Sequence, residues 1–121
     1  MAKVKKSLEE ITREFLLDMG VPAHLKGYLY LTEVIATAAK ARNVLKVKCK
    51  ELYCQVATSD GSDTSSVENA IRQAIDATWD LDDSGSLSMY FGYGNNPTER
   101  PGNEEFIIFV ADRVQMLKKC Q

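Results

Sequence analysis

The sequence has little of what most functional classes require. No apolar run approaches the ~20 residues needed to cross a bilayer; the longest local run is Phe106 to Ala111. The N-terminus, MAKVKKSLEE, is basic but has no apolar stretch, so it does not read as a signal peptide. Cysteine is sparse and odd in number, at Cys49, Cys54 and Cys120, with no CxxC pair. There is one histidine, His24. A zinc site would need four converging ligands from that small set, and the spacing does not suggest it. Reduced thiols, a cytoplasmic chain and no metal or other cofactor are therefore expected. Internal repeats and low-complexity tracts are lacking as well.

What is present is ordinary for a soluble domain. The 121 residues are 45% apolar and 26% charged, enough for one core. The net charge of −2 argues mildly against nucleic acid. The charges are unevenly spread, however. Lys40, Arg42, Lys46, Lys48 and Lys50 follow one another with no acid between them, and Asp76, Asp80, Asp82 and Asp83 with no base. A molecule polarised in this way can bind a polyanion on one face. One domain over 1–121 is expected, with loose ends at 1–6 and 118–121.

The periodicity predicts an all-α protein of about six helices. Ser7 and Glu10 form a capping box, and Leu8, Ile11, Phe15, Leu16 and Met19 follow helical spacing to Gly20. Pro22 suits the first turn of a second helix, whose apolar side would be Leu25, Tyr28, Leu29, Leu31, Val34, Ile35 and Ala38, to about Ala41. A third helix after Asn43 would bury Leu45, Cys49, Leu52, Tyr53 and Val56. SDGSDTSS reads as a turn. A fourth helix, capped by Ser65 with Glu68, buries Val67, Ala70, Ile71, Ala74, Ile75, Thr78 and Trp79. A short fifth helix spans Leu87, Met89, Tyr90 and Phe91. FGYGNNPTERPGN is a loop. Asn103 caps a sixth helix with Phe106, Ile107, Val110, Val114 and Leu117 inward.

The third and fourth helices carry the functional signal. Ala57, Gly61 and Val67 have the Ala-x3-Gly-x5-Val spacing of a helix-turn-helix: a small residue for close packing, a glycine for the turn, an apolar wedge between the helices. Asp60 fits poorly, because such motifs usually place an apolar residue there. The outer face of the fourth helix carries Ser65, Ser66, Glu68, Asn69, Arg72 and Gln73. Asn and Gln suit adenine, Arg suits guanine, and Glu suits the cytosine amino group. The same residues also fit a solvated face, with Glu68–Arg72 and Arg72–Asp76 as i,i+4 pairs. Lysines leading into the third helix, Lys46, Lys48 and Lys50, would neutralise phosphates, or would merely solubilise.

Other chemistry is weakly signalled. Asp80, Asp82, Ser84 and Gly85 resemble the start of a calcium loop, but its twelfth position, a bidentate Glu, is Phe91. His24 has no nucleophile and orienting acid that can be placed beside it, so a structural role or a phosphate contact is the plainer reading. FGYGNN lacks the strand-to-helix context of a phosphate loop. No catalytic machinery is visible, and no enzyme is expected.

Five segments resemble one family: GVPAHLKGYLYLTEVI (20–35), SSVENAIRQAIDATW (65–79), FGY (91–93), RPGNEEFI (100–107) and VADRV (110–114). It is the C-terminal DNA-binding effector domain of the sporulation stage-zero master regulator of Firmicutes. The resemblance spans about Ile11 to Leu117. It implies a response-regulator effector domain, winged-helix-like, with its helix-turn-helix in helices 3 and 4. It implies double-stranded DNA as partner, with a short promoter box, often in tandem copies or bound by a homodimer. The family's base-reading positions fall on Glu68, Asn69 and Arg72; with Ser66 and Gln73 of the same face these are the expected base readers, and Thr64, Ser65, Lys46, Lys48, Lys50, His24 and Lys26 are the expected phosphate contacts. The resemblance also implies contact with the sigma subunit of RNA polymerase through about 80–93. Glu68 and Arg72 keep the family's residue types. Asn69 and Ser66 stand where the family has arginine, and Asp60 and Asp63 where it has an apolar residue and a threonine. The family's receiver domain is not part of these residues. The alternative is a diverged interaction module that keeps the fold, binds DNA weakly and titrates a sigma factor or a related regulator.

Overall fold

The computed structural model describes residues 5–94 and 99–121. Six α-helices follow in order: α1 (Leu8–Met19), α2 (Lys26–Ala39), α3 (Cys49–Asp60), α4 (Thr64–Asp80), α5 (Ser86–Tyr90) and α6 (Asn103–Lys119), with a 3-10 turn at Val44–Lys46 before α3. There is no strand among the described residues, so no β wing accompanies them.

α1 begins as its sequence dictates. Glu10 N–H donates to Ser7 Oγ at 3.1 Å and Ser7 N–H donates to the Glu10 carboxylate at 3.3 Å. The helix ends at Gly20, whose φ of 97° places it in the left-handed region. α2 is the centre of the fold and packs against α1, α3, α4 and α6. It starts at Lys26, later than Pro22 suggests, because 22–25 form a turn closed by the Leu25 N–H on the Pro22 carbonyl. With neighbours on several sides, it buries more than one apolar stripe, including Tyr30 and Ala36. Only the line Lys26, Leu29, Glu33, Thr37, Lys40 stays open. Leu29, expected inside, lies on that line and is exposed.

α3 starts at Cys49, not soon after Asn43. The Asn43 side chain accepts the Leu45 N–H and closes the 3-10 turn instead, which leaves Leu45 75% exposed rather than buried. α4 starts one residue before Ser65. Its N-cap is Asp63, whose carboxylate accepts the Ser66 N–H at 2.8 Å, so Ser65 and Glu68 do not form a capping box. The turn between is stabilised at Ala57, whose carbonyl accepts the N–H of Gly61 and of Ser62.

In α5, Leu87 and the following Phe91 turn inward, while Met89 and Tyr90 are exposed. α6 begins at Asn103 itself, with Gly102 as N-cap, and Leu117 in its last turn is exposed. The helix outruns the core after Val114. Gln115 there reaches back to the carbonyls of Ala39 and Ala41, at 3.0 and 2.7 Å, and satisfies the end of α2. At the termini, Lys6 N–H donates to the Gln121 side chain, and Lys118 and Gln121 donate to the Lys6 carbonyl.

The core joins all six helices. Trp79 is buried at the end of α4, with its indole N–H on Ser88 Oγ at 3.3 Å. Its ring meets Phe91 and Phe106 edge-on, and Phe91 stacks on Phe106 and Phe109. The three cysteines are free, with Cys49 buried. Burial pushes the Cys49 thiol up to about 11, and nearby Glu104 adds to the shift, so it is a neutral packing residue. No helix among the described residues is long and apolar enough to cross a membrane.

Candidate nucleic-acid interface

The helix-turn-helix is built as its spacing requires. Ala57 and Val67 are buried, and Gly61 turns the chain with φ 73°. Behind the turn, α2 crosses α4 at very short range. A Cβ on Gly27 would lie 2.2 Å from the Ala70 carbonyl oxygen and 2.6 Å from Ala74 Cβ. Gly27 thereby seats the second helix of the motif on the centre of the fold. Asp60, the residue that fits the motif poorly, is accommodated at the surface, where it accepts the Tyr30 hydroxyl at 2.5 Å. That bond holds the Tyr30 pKa above its ordinary value, with burial adding to the effect.

At 100° per residue, the outer side of α4 falls on Ser65, Asn69, Gln73, Asp76 and Asp80, with Ser66 beside them. Ser65, Ser66, Asn69 and Gln73 are exposed. Glu68 and Arg72 are half-buried, displaced toward α6. There they meet the segment 100–103. The Glu68 carbonyl accepts the Asn103 side-chain N–H at 2.9 Å. Arg72 donates through Nη1 to the Pro101 carbonyl and through Nη2 to Asp76, both at 3.0 Å. The i,i+4 partner of Arg72 is thus Asp76; no Glu68–Arg72 ion pair is made among the described residues. Asp76 also receives Arg100 at 3.4 Å, and Arg100 bridges to Asp80 at 3.0 Å. So the expected reading face divides in two: four exposed polar side chains, and two that lean on a segment about 30 residues away in sequence.

The expected phosphate contacts lie in three places. Thr64 and Ser65 form the first turn of α4, beside the Asp63 cap. The capping bond to Ser66 holds the Asp63 carboxyl below the usual range, so a negative charge sits at the tip of this helix. Lys26 lines a cavity of about 160 Å³ with Tyr30, Val56, Ser59 and Asp60, next to the turn, and His24 is exposed just ahead of α2. Lys46 and Lys48 share a shallow depression of about 540 Å³ with Lys40, Asn43 and Glu51. Lys50 is exposed in the first turn of α3. This cluster is at the opposite end of α3 from the turn, ~18 Å away along a 12-residue helix.

The calcium-loop resemblance has a different use. The Asp82 carboxylate accepts the Leu87 N–H at 2.9 Å and the Ser84 hydroxyl at 2.8 Å, and so holds the start of α5. Those bonds, the Leu87 one foremost, keep its pKa below the ordinary carboxylate value.

Asp76, Arg100, Pro101 and Asn103 join this site without being among the residues expected there. The Arg72–Asp76 spacing is the one local signal; the rest depends on where α6 begins.

The helix-turn-helix, its central support and the 100–103 segment all lie within the region that one family model matches. That model, described as Sporulation initiation factor Spo0A C terminal, matches residues 12–114. The chain belongs to this family. Spo0A C-terminal domains are DNA-binding effector domains of a sporulation regulator, and not an enzyme family. The match runs from the first turns of α1 to Val114 in α6, so both the free and the leaning parts of the α4 face fall inside it.

Proposed function

We propose that the chain is a sequence-specific DNA-binding transcription regulator that lays α4 in the major groove. The supporting observation is the outer face of α4, the second helix of a well-formed helix-turn-helix, with Ser65, Ser66, Asn69 and Gln73 exposed and free of core packing. Asn69 and Gln73 suit adenine, Glu68 suits the cytosine amino group, and Arg72 suits guanine once it leaves its protein partners. Ser66 lies where it can reach a base edge or a phosphate. Thr64, Ser65, Lys26 and His24 flank the groove-entering end of α4, and Lys46, Lys48 and Lys50 extend the contact to phosphates farther along. Binding on tandem boxes, or as a homodimer, belongs to this reading, as does a cytoplasmic location. So does docking of the polymerase sigma subunit on 80–93, where Leu81, Met89 and Tyr90 are exposed.

A second reading has an observation of its own. Asp63 caps the tip of α4, Asp76 and Asp80 stand on its outer side, and Arg72 is engaged. A face so supplied with carboxylates favours a protein partner over DNA, as in an interaction module that titrates a sigma factor or a related regulator.

Selection from randomised duplexes, run side by side for wild type and Asn69→Arg, separates the two. The regulator selects a box, its complex weakens steeply with salt, and Asn69→Arg shifts the choice and raises affinity. Selection of the same box by both proteins removes Asn69 from the readers. Failure of both to select any box at low salt, with the fold intact, overturns DNA reading in favour of the interaction module.

A further inference from the structure

Arg72 is the one cation on the groove-facing half of α4, and both of its terminal nitrogens are engaged by protein acceptors. Nη1 is spent on the Pro101 carbonyl and Nη2 on Asp76. A bidentate arginine–guanine contact needs two N–H groups presented together to O6 and N7. The side chain is 34% exposed, so it lies near enough to the surface to turn outward. Turning requires it to surrender a charge-assisted bond and a carbonyl bond together. Asp76 is itself held in place: Arg100 reaches its carboxylate and its main-chain carbonyl, each at 3.4 Å, and anchors to Asp80. The Asn103–Glu68 bond fixes the same segment one turn earlier on α4. Arg72 therefore leans on a braced acceptor pair, not on a mobile surface acid.

We propose that Asp76, braced by Arg100, holds Arg72 turned away from DNA and so sets how strongly this helix reads guanine. This rests on the reading of α4 as a recognition helix. Asp76 is a positioning residue that acts through Arg72. Loss of its carboxylate leaves the Pro101 carbonyl as the sole partner among the described residues, and the guanidinium becomes available to a base. The carboxylate also repels phosphate simply by its charge, and that effect has to be subtracted. Asp80 supplies the control. It lies one turn farther along the same face, carries the same charge and contacts Arg100, but does not touch Arg72.

The experiment measures binding of one guanine-containing duplex, chosen by selection from a randomised pool with wild type. Asp76→Ala is expected to raise affinity about tenfold, within what one arginine–guanine pair supplies. Asp80→Ala is expected to raise it about threefold or less, as befits an exposed charge. In an Arg72→Ala background, Asp76→Ala should then do no more than Asp80→Ala. Side-chain nitrogen resonances of Arg72 should be resolved in wild type and collapse in Asp76→Ala, with circular dichroism unchanged. Equal gains from Asp76→Ala and Asp80→Ala, or a gain that persists without Arg72, would overturn the proposal while DNA reading stands. Identical Arg72 resonances in wild type and Asp76→Ala would overturn it too. If wild type selects no duplex at low salt, DNA reading and the proposal fall together.

Discussion

At residue 27 the fold has room for a hydrogen and nothing larger. The nearest obstacle to a Cβ is the Ala70 carbonyl oxygen, which is backbone and cannot rotate away. Gly27→Ala should therefore force α2 and α4 apart and destabilise the domain by at least ~1–3 kcal/mol, the range for overpacking, as read by urea unfolding. Because α4 moves, the same variant should lose any DNA binding out of proportion to its loss of stability. Asp63 makes a different residue-scale prediction. Its carboxyl is held below the ordinary range by the bond to Ser66. A group depressed in the folded state contributes stability that is complete above its unfolded pKa of ~3.9 and is lost as pH falls through the folded value. Asp82 acts in the same direction at α5. The thermal midpoint should fall below pH ~4. Asp63→Asn keeps a capping oxygen but no titrating proton, so its midpoint should fall less steeply over that range. An identical acid profile for both proteins would show that the cap is not coupled to folding.

The α3 element carries a test of its reach. Its basic end holds Lys48 as N-cap and Lys50 in the first turn, with Lys46 just before, some ~18 Å from the turn into α4. If DNA runs along α3, replacing all three by Ala should weaken every duplex about equally. It should also flatten the salt slope by ~0.9 for each phosphate that the lysines no longer neutralise. An unchanged slope, measured by binding titrations across salt concentrations, would mean that the cluster merely solubilises. The start of α3 is also where the sequence is hardest to read. Elements with a local signal are legible: the Ser7–Glu10 box and Gly20 bound α1, and the three- and four-residue spacing of Val67, Ile71, Ala74 and Ile75 places α4. Leu45 misleads because its spacing continues a helical stripe. A short-range Asn43 bond breaks the helix there and leaves Leu45 at the surface. Ser65 imitates a cap because Glu68 follows at the right distance, whereas a carboxylate two residues earlier accepts the same kind of bond and starts the helix sooner. At the site, the types and face of the α4 residues are legible from a 100° step. The attachment of Arg72 to Pro101, across 29 residues of sequence, is not, because no local pattern encodes where α6 lands.

At the scale of the molecule, two ends of the fold do different work. α2, α3 and the first half of α4 hold the turn and the outer polar face, while the second half of α4, α5 and α6 close around an aromatic hub. In that hub Phe106 is fully buried, edge-on to Trp79 at 6.1 Å between ring centroids and stacked on Phe91 at 5.7 Å. Phe106 thus links α6 to the end of α4 and to α5 at once. It lies only three residues after Asn103, whose side chain holds Glu68, and five after Pro101, which holds Arg72. Removing its ring takes away the packing that seats this end of α6 and leaves a void beside Trp79 and Phe91. Phe106→Ala should cost ~3–5 kcal/mol. That is a large share of the ~5–15 kcal/mol available to a domain of this size, so the variant should unfold at much lower urea than wild type. Trp79 is the chain's one tryptophan and reports from inside the hub. In wild type its fluorescence should change together with the far-ultraviolet circular dichroism, since the hub and the helix-turn-helix share α4. A Phe106→Ala protein in which Trp79 becomes accessible to quencher while circular dichroism and α4 amide protection persist would show the two ends to be separable. The wild-type coupling of the aromatic hub to α4 would then not depend on Phe106.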